Sequence, residues 1–349
     1  MGITGYNWGC DRRFPSGRAE RRMTDPAAAY VRPDVRQFLD YLNAMPGPAS
    51  HELPPAQARQ LLRSSRDLTD LPVGAIAVVR DLAIPGPAGT IAARLFDARA
   101  SRDAGPALVF FHGGGFVIGD LDTHAGICAE IARTLDVPVI AVDYRLAPEH
   151  PWPAAPDDCT AAARWVAESP AALDRSVTSL ILCGDSAGGT LAIVTALDLR
   201  DAPAAVPVIV QAPIYPAADS GRHYPSFDTF ADGYLLTRDA MLFYDRAYRA
   251  DPASPRGAPL RGRLDGLPPA VIVTAGLDPI RDQGRAYAAA LAGAGVPVVF
   301  REAKGLIHAF VLLRKAIPSA QAEVAGYLAA LAAVIHEAEA ARLAARDPI

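Results

Sequence analysis

The stretch Ser179-Leu180-Ile181-Leu182-Cys183-Gly184-Asp185-Ser186-Ala187-Gly188-Gly189 leaves this chain little conformational choice. An apolar run of strand length stops at a glycine. A serine follows with glycine two residues to either side, and an apolar helical pattern opens at Leu191. A G-x-S-x-G string between strand and helix demands a turn too sharp for bulky flanks. Gly184 and Gly188 let the strand and helix approach, while Ser186 sits at the tip with its hydroxyl exposed. The helix starting there offers unpaired backbone N–H groups and the positive end of a dipole, which suits a developing oxyanion. The string is a hypothesis until the rest of the chain gives it a setting.

That setting is a regular alternation. Apolar residues at helical spacing predict helices over Tyr30–Met45 and Pro55–Arg66. Val78–Ala83 and Thr90–Phe96 read as strands joined by the hairpin signal Pro85-Gly86-Pro87-Ala88-Gly89. Strands follow at Ala107–Phe111, Val137–Val142, Ser179–Cys183, Pro207–Gln211, Ala270–Ala275 and Val296–Arg301. The helices between them cover Thr123–Leu135, Pro156–Ala167, the turn of Ser186 to about Leu199, and Arg281–Ala294. Closing helices are expected from His308 and over Ser319–Ala345, the second an exposed amphipathic element. Asp219–Leu264 breaks the rhythm with polar and aromatic residues around a helical pattern at Arg238–Tyr248. Strand–helix alternation of this kind gives an α/β fold with a mostly parallel central sheet and helices on both faces. Such a sheet binds ligands outside the carboxyl ends of its strands. His112–Phe116, Ser186 and Asp278 fall at that edge, and His308 lies just past the last strand.

A serine hydroxyl becomes a useful nucleophile when a base takes its proton and an acid orients the base. Of the seven histidines, His308 alone follows the last strand, in Gly305-Leu306-Ile307-His308-Ala309-Phe310; read in isolation it is better taken as a capping or core residue. Asp278 ends a strand through Gly276-Leu277 and precedes Pro279, which also makes it an ordinary helix N-cap. Its rival Asp282 lies a turn into the helix, where a neighbouring arginine would pair with it. The order Ser186, Asp278, His308 is one of the known chain orders for such a relay. His112-Gly113-Gly114-Gly115 could aim backbone N–H groups at one point. A phosphate cradle would use glycines too, but neither G-x-G-x-x-G nor a Walker lysine is present. With the Ala187 N–H, the loop would form an oxyanion hole, with His112 itself structural.

Composition narrows the alternatives. With 349 residues, 51% apolar and 21% charged, the chain can bury a large core. A net charge of −4 without a long basic run gives no reason to expect nucleic acid or an anionic membrane surface. Cys10, Cys128, Cys159 and Cys183 lack metal-ligand or disulfide spacing and read as thiols in a reducing cytoplasm. No apolar run approaches the length of a membrane span on this reading. Residues 1–22 read as a disordered leader or an over-extended start, with Met23 as the true one.

The combination of His112-Gly113-Gly114-Gly115-Phe116, Asp143-Tyr144-Arg145-Leu146-Ala147-Pro148-Glu149-His150-Pro151-Trp152-Pro153-Ala154-Ala155, Gly184–Gly189, Asp278-Pro279-Ile280-Arg281-Asp282 and His308-Ala309-Phe310 resembles the hormone-sensitive-lipase-like family of α/β-hydrolases, bacterial carboxylesterases with an HGGG motif. The resemblance implies Ser186 as nucleophile, His308 as general base, Asp278 as its orienting acid, and Gly114, Gly115 and Ala187 as oxyanion donors. It also implies buried pairs for Arg145 and Glu149, and a helical cap. Residues 23–70 and 217–264 would form that cap over a catalytic domain of 71–216 and 265–349, with Phe230, Tyr234, Leu235 and Leu236 lining the substrate pocket. The expected reaction is hydrolysis of short- to medium-chain carboxylic esters, with a small-molecule ester as partner. No cofactor or metal is needed, no nucleic acid or membrane insertion is expected, and a homodimer is compatible. An amidase, arylformamidase or lactone hydrolase would use the same residues. A non-catalytic ligand receptor of this fold is expected to lose one of the three.

Overall fold

The computed structural model describes residues 29–346, so the expectations for residues 1–22 and for Cys10 lie outside the described residues. One eight-stranded sheet is built from β1 (Val78–Gly86), β2 (Gly89–Asp97), β3 (Gly105–Phe111), β4 (Val139–Asp143), β5 (Val177–Asp185), β6 (Val208–Ile214), β7 (Ala270–Leu277) and β8 (Val298–Ile307), in the spatial order 1-2-4-3-5-6-7-8. The β1–β2 hairpin and the β2–β4 pair are antiparallel. All pairings from β4 through β3 to β8 are parallel. Those strands therefore end on the same side of the sheet, where ligands of this class of fold bind.

Residue parity sets the layers. Ala107, Val109 and Phe111 of β3 enter one hydrophobic cluster, while Leu108 and Phe110 enter the other. Leu180 and Leu182 of β5 are likewise separated from Ile181 and Cys183, and Ile272 of β7 from Val271 and Val273. Successive side chains on a strand point to opposite faces, so a strand covered on both sides reads as an unbroken apolar run. The first face is covered by α4 (Ala154–Ala167), α5 (Ala187–Asp201) and α8 (Arg281–Gly293). The second carries α1 (Pro33–Ala44), α3 (Ala125–Leu135) and α9 (Ser319–Arg346). Helix α2 (Pro55–Thr69) lies over the loops after β3 and β4, and α6 (Pro225–Thr229) and α7 (Arg238–Tyr248) belong to the insertion after β6.

The N-terminal helices do different things. Helix α1 docks on β8 by burying Val35 and Leu39, and its entry is pinned where Arg32 donates to the Lys304 carbonyl at 2.8 Å. Helix α2 and the turn Ser50–Glu52 lie next to each other, and that turn packs on α7. At the end of α2, Asp70 and Arg314 form a buried ion pair at 2.7 Å.

Three sequence expectations need correction. No helix starts at His308. The chain makes a single 3₁₀ turn at Phe310–Leu312, because Ala309 takes a left-handed conformation (φ 63°) that ends β8 abruptly. Helix α9 is the amphipathic element its sequence indicates, with Val324, Tyr327, Leu328, Leu331 and Ile335 as a buried stripe and alanines such as Ala325, Ala329 and Ala332 exposed. Over Ser319–Ala345 it is long and apolar enough to cross a membrane by length and composition, contrary to the sequence reading. Of that apolar window 28% is buried, the stripe facing the sheet, where Tyr327 donates to the Ala212 carbonyl at 2.8 Å. Finally, Arg145 and Glu149 do not both form buried pairs. Arg145 grips the buried Asp158 through two 2.8 Å contacts, whereas Glu149 is half exposed and pairs with Arg59 of α2.

Candidate active site

The turn at Ser186 is as tight as its glycines demand. A Cβ on Gly188 would stand 1.8 Å from the Phe111 carbonyl oxygen, and one on Gly184 would stand 2.4 Å from that of Gly188. Side chains at either place would force β5, β3 and α5 apart. Ser186 itself takes φ 53° and ψ −118°, a conformation that L-residues avoid and that marks stored strain. Its N–H donates to the Ile214 carbonyl at 2.8 Å, which fixes the turn against the end of β6.

Strand ends deliver the partners. Asp278 follows β7 and is fully buried; His308 follows β8 and is 6% exposed. His308 Nε2 lies 2.8 Å from Ser186 Oγ, and its Nδ1 lies 2.6 Å from Asp278 Oδ2. The other Asp278 oxygen accepts the Ile280 N–H at 2.9 Å. Both sequence readings of Asp278 therefore hold together: one oxygen organises the turn into α8 and the other faces the imidazole. Asp282 is occupied elsewhere, by Arg281 at 2.9 Å, Arg285 at 3.1 Å and the Ser226 N–H at 3.0 Å. The Tyr215 ring stands 4.7 Å from the imidazole, with Phe310 edge-on behind it. Apolar walls around a charge relay keep water out and strengthen each interaction inside.

The glycine loop is held from below. Tyr144 stacks on the His112 ring at 4.3 Å and donates to the His112 carbonyl at 2.7 Å. His112 Nδ1 bonds the Gly113 carbonyl at 2.8 Å, so the ring serves the loop. Burial, reinforced by the neighbouring His124, pushes the His112 pKa down to about 4, which keeps that ring neutral. The Gly113 N–H is shared by the buried carboxylate of Asp185 at 2.8 Å and His124 Nε2 at 3.2 Å. Among the described residues, the N–H groups of Gly114, Gly115 and Ala187 have no backbone or side-chain acceptor. Each lies within a residue of Ser186 or of this loop, where an anionic oxygen would need donors.

Of the proposed pocket residues, Phe230 is 2% exposed and packs in the second hydrophobic cluster under the Arg281 guanidinium. It is a core residue, because a large ring at the start of the insertion anchors that segment to the sheet. Tyr234 and Leu235 pack against the same cluster, and Leu236 is half-buried. The residue that does meet the loop is Tyr244 of α7. A Cβ on Gly115 (φ 59°) would come within 2.3 Å of its ring. One turn on, Tyr248 stacks on Phe116 at 3.7 Å. The helical spacing of Tyr244 and Tyr248 put them on one face of a predicted helix, but nothing in the sequence said which loop that face would cover.

The fold has counterparts among known proteins. A family profile described as alpha/beta hydrolase fold matches residues 108–312. Esterase LipI of Mycobacterium tuberculosis is 40% identical over 306 residues, 86% of this chain and 94% of that protein. The chain belongs to the α/β-hydrolase family.

Within that family its likeness is to the hormone-sensitive-lipase-like esterases. The ethyl acetate hydrolase of Pseudomonas putida is 34% identical over 303 residues, covering 83% of this chain and 95% of that one. Among solved structures, an alpha/beta hydrolase enzyme from the Lake Arreo metagenome superposes with a TM-score of 0.81 at 35% identity, covering 87% of this chain and 98% of that one. An esterase of Pyrobaculum calidifontis gives 0.77 at 34% identity, with 87% and 98% covered.

Proposed function

We propose that this α/β-hydrolase is a serine carboxylesterase that cleaves small carboxylic esters through an acyl-enzyme on Ser186. One observation carries the reading: Ser186 Oγ, the His308 imidazole and the Asp278 carboxylate stand in series at 2.8 and 2.6 Å, beside unengaged N–H groups. The relatives named as esterases support the class of bond.

In this reading His308 Nε2 takes the Ser186 proton as Oγ attacks the ester carbonyl. The imidazolium that forms is stabilised by Asp278, which keeps its own charge. Negative charge collects on the former carbonyl oxygen and is met by the N–H groups of Gly114, Gly115 and Ala187, each contributing on the order of 3 kcal/mol in the transition state. The imidazolium then protonates the departing alcohol. Water enters, gives a proton to the same nitrogen and attacks the acyl carbon; the acyl–Oγ bond then breaks, the imidazolium returns the proton to Ser186 Oγ, and the acid leaves. Tyr244 and the Phe116–Tyr248 stack crowd the loop side of the serine, which favours acyl chains of short to medium length.

The test is a panel of p-nitrophenyl esters from two to sixteen carbons, with matching anilides and lactones, run on wild type and Ser186→Ala. Ester turnover that peaks at short chains and vanishes in the variant is expected. Turnover best on sixteen-carbon esters would overturn the chain-length reading, and turnover confined to anilides would overturn the ester assignment.

A further inference from the structure

Asp185 precedes the serine, is 2% exposed, and ties together the parts of the site. Its Oδ1 accepts the Gly113 N–H of the glycine loop at 2.8 Å, and its Oδ2 accepts the Tyr215 hydroxyl at 3.3 Å. Tyr215 in turn presents its ring to His308. A third neighbour, His124, is 1% exposed and sits just before α3, with Nε2 3.2 Å from Asp185 Oδ1. The mechanism above gives His124 no part.

His124 Nε2 closes a triangle with the other two groups: it lies 3.2 Å from Asp185 Oδ1 and 3.2 Å from the Gly113 nitrogen, whose N–H points at both. On the far side Nδ1 meets Thr123 Oγ1 at 2.9 Å, and that hydroxyl accepts the Asp120 N–H and donates to the Asp120 carbonyl, each at 2.9 Å. His112 and Phe110 flank the ring at 5.4 and 6.1 Å between centroids. The ring is thus oriented by its Thr123 contact and walled on both sides. Burial opposes charge on Asp185, yet His124 and the hydrogen bonds from His124 and Gly113 outweigh it and hold the carboxyl below the ordinary range.

We propose that His124 is a positioning residue for ester cleavage: its Nε2, in contact with both Asp185 and the Gly113 N–H, holds the two together, so that the next two N–H groups of the loop stay turned toward the acyl oxygen. The proposal rests on the reading of Ser186 and the glycine loop given above. Without that contact, Asp185 keeps the backbone and tyrosine contacts but is freer to turn, and the loop is held less firmly. A loosened donor pair stabilises the oxyanion less while leaving the pocket that binds the ester in place. The expected signature is a loss in kcat with little change in KM.

The experiment compares His124→Leu, which has no polar group, with His124→Gln, whose amide reaches a similar position and can both accept and donate. Competent serines are counted with a p-nitrophenyl phosphonate, so kcat refers to folded sites alone. For His124→Leu, kcat on p-nitrophenyl butyrate should fall about tenfold or more, short of the 10²–10³ for deleting an oxyanion donor outright. KM should stay within about twofold. Affinity for a trifluoromethyl ketone, whose addition product places an oxyanion at the loop, should fall in parallel, and His124→Gln should recover most of both. An unchanged kcat per titrated serine, a loss confined to KM, or equal losses in the two variants overturns the proposal. Should His124→Leu not fold, Thr123→Val removes the hydroxyl that orients the ring and should lower kcat at constant KM; no loss there overturns the proposal. A wild-type enzyme that forms no phosphonate adduct at Ser186 would sink the underlying assignment instead.

Discussion

Replacing Asp278 by asparagine keeps the side chain's shape, removes its charge, and lets the surrounding hydrogen bonds dictate the result. Oδ1 accepts the Ile280 N–H at 2.9 Å, and Oδ2 lies 2.6 Å from His308 Nδ1. Asparagine offers one acceptor oxygen and one NH₂ donor. If the oxygen keeps Ile280, the NH₂ faces Nδ1 and makes that nitrogen an acceptor. The ring hydrogen then moves to Nε2 and points at Ser186 Oγ, 2.8 Å away. A protonated Nε2 cannot take the serine proton. The opposite amide orientation sets NH₂ against the Ile280 N–H, a buried mismatch costing on the order of 1–3 kcal/mol. That alone holds the competent tautomer to roughly a tenth to a hundredth of molecules. Loss of the carboxylate's grip on the imidazolium supplies the rest of a fall in kcat of about 10⁴, or about 5–6 kcal/mol of barrier. The assay is kcat on p-nitrophenyl butyrate per correctly folded molecule, with a thermal melt to show the fold is kept. A variant that melts like wild type and retains more than about a tenth of its kcat would refute this account of Asp278, since about 1.4 kcal/mol is too little for a lost relay.

Gly115→Ala places a methyl within 2.3 Å of the Tyr244 ring at a left-handed position. We expect kcat to fall about tenfold or more, and Gly115→Ala combined with Tyr244→Ala to regain part of it; a double variant no better than the single would show that backbone strain alone is responsible. Stability should also respond to acid through His112. Its folded pKa of about 4 lies below the 6.5 of the exposed side chain, so the unfolded chain binds more protons between those values. That share of stability is complete above pH 6.5 and is lost as pH falls toward 4, removing about 2 kcal/mol between pH 7 and 5. Urea unfolding of wild type and His112→Gln at both pH values checks it: the variant should lose less on acidification, and parallel losses would contradict the linkage.

What the sequence made legible was whatever a local steric or periodic rule governs. The sharp turn needs Gly184 and Gly188 because backbone carbonyls close in on both, and the doubly covered strands betray themselves as apolar runs. Three side chains distant in sequence could be brought together because parallel strands end on one side. The rest depended on partners that no local rule names. Tyr244 carried the periodicity of a helix but not the identity of Gly115 as the surface it covers. Phe230 looked like a lining residue because it lies in an aromatic insertion, yet one face of that insertion must be buried to attach it. The loop motif suggests a buried pair for Glu149, whereas Asp158 of α4 is the carboxylate that Arg145 reaches. Nothing local marks His124, because its distance from Ser186 along the chain hides that Asp185 lies between them.

The central claim is that Ser186 is the atom-bearing nucleophile, and stopped-flow mass spectrometry of a slow ester substrate tests it most directly. Quenched within one turnover, the wild-type enzyme should carry one acyl group on the peptide containing Ser186, appearing with a burst of alcohol and disappearing as acid is released, and Ser186→Ala should show neither. Undiminished ester turnover in Ser186→Ala, or an acyl group on another residue that forms and decays at the rate of turnover, would contradict it.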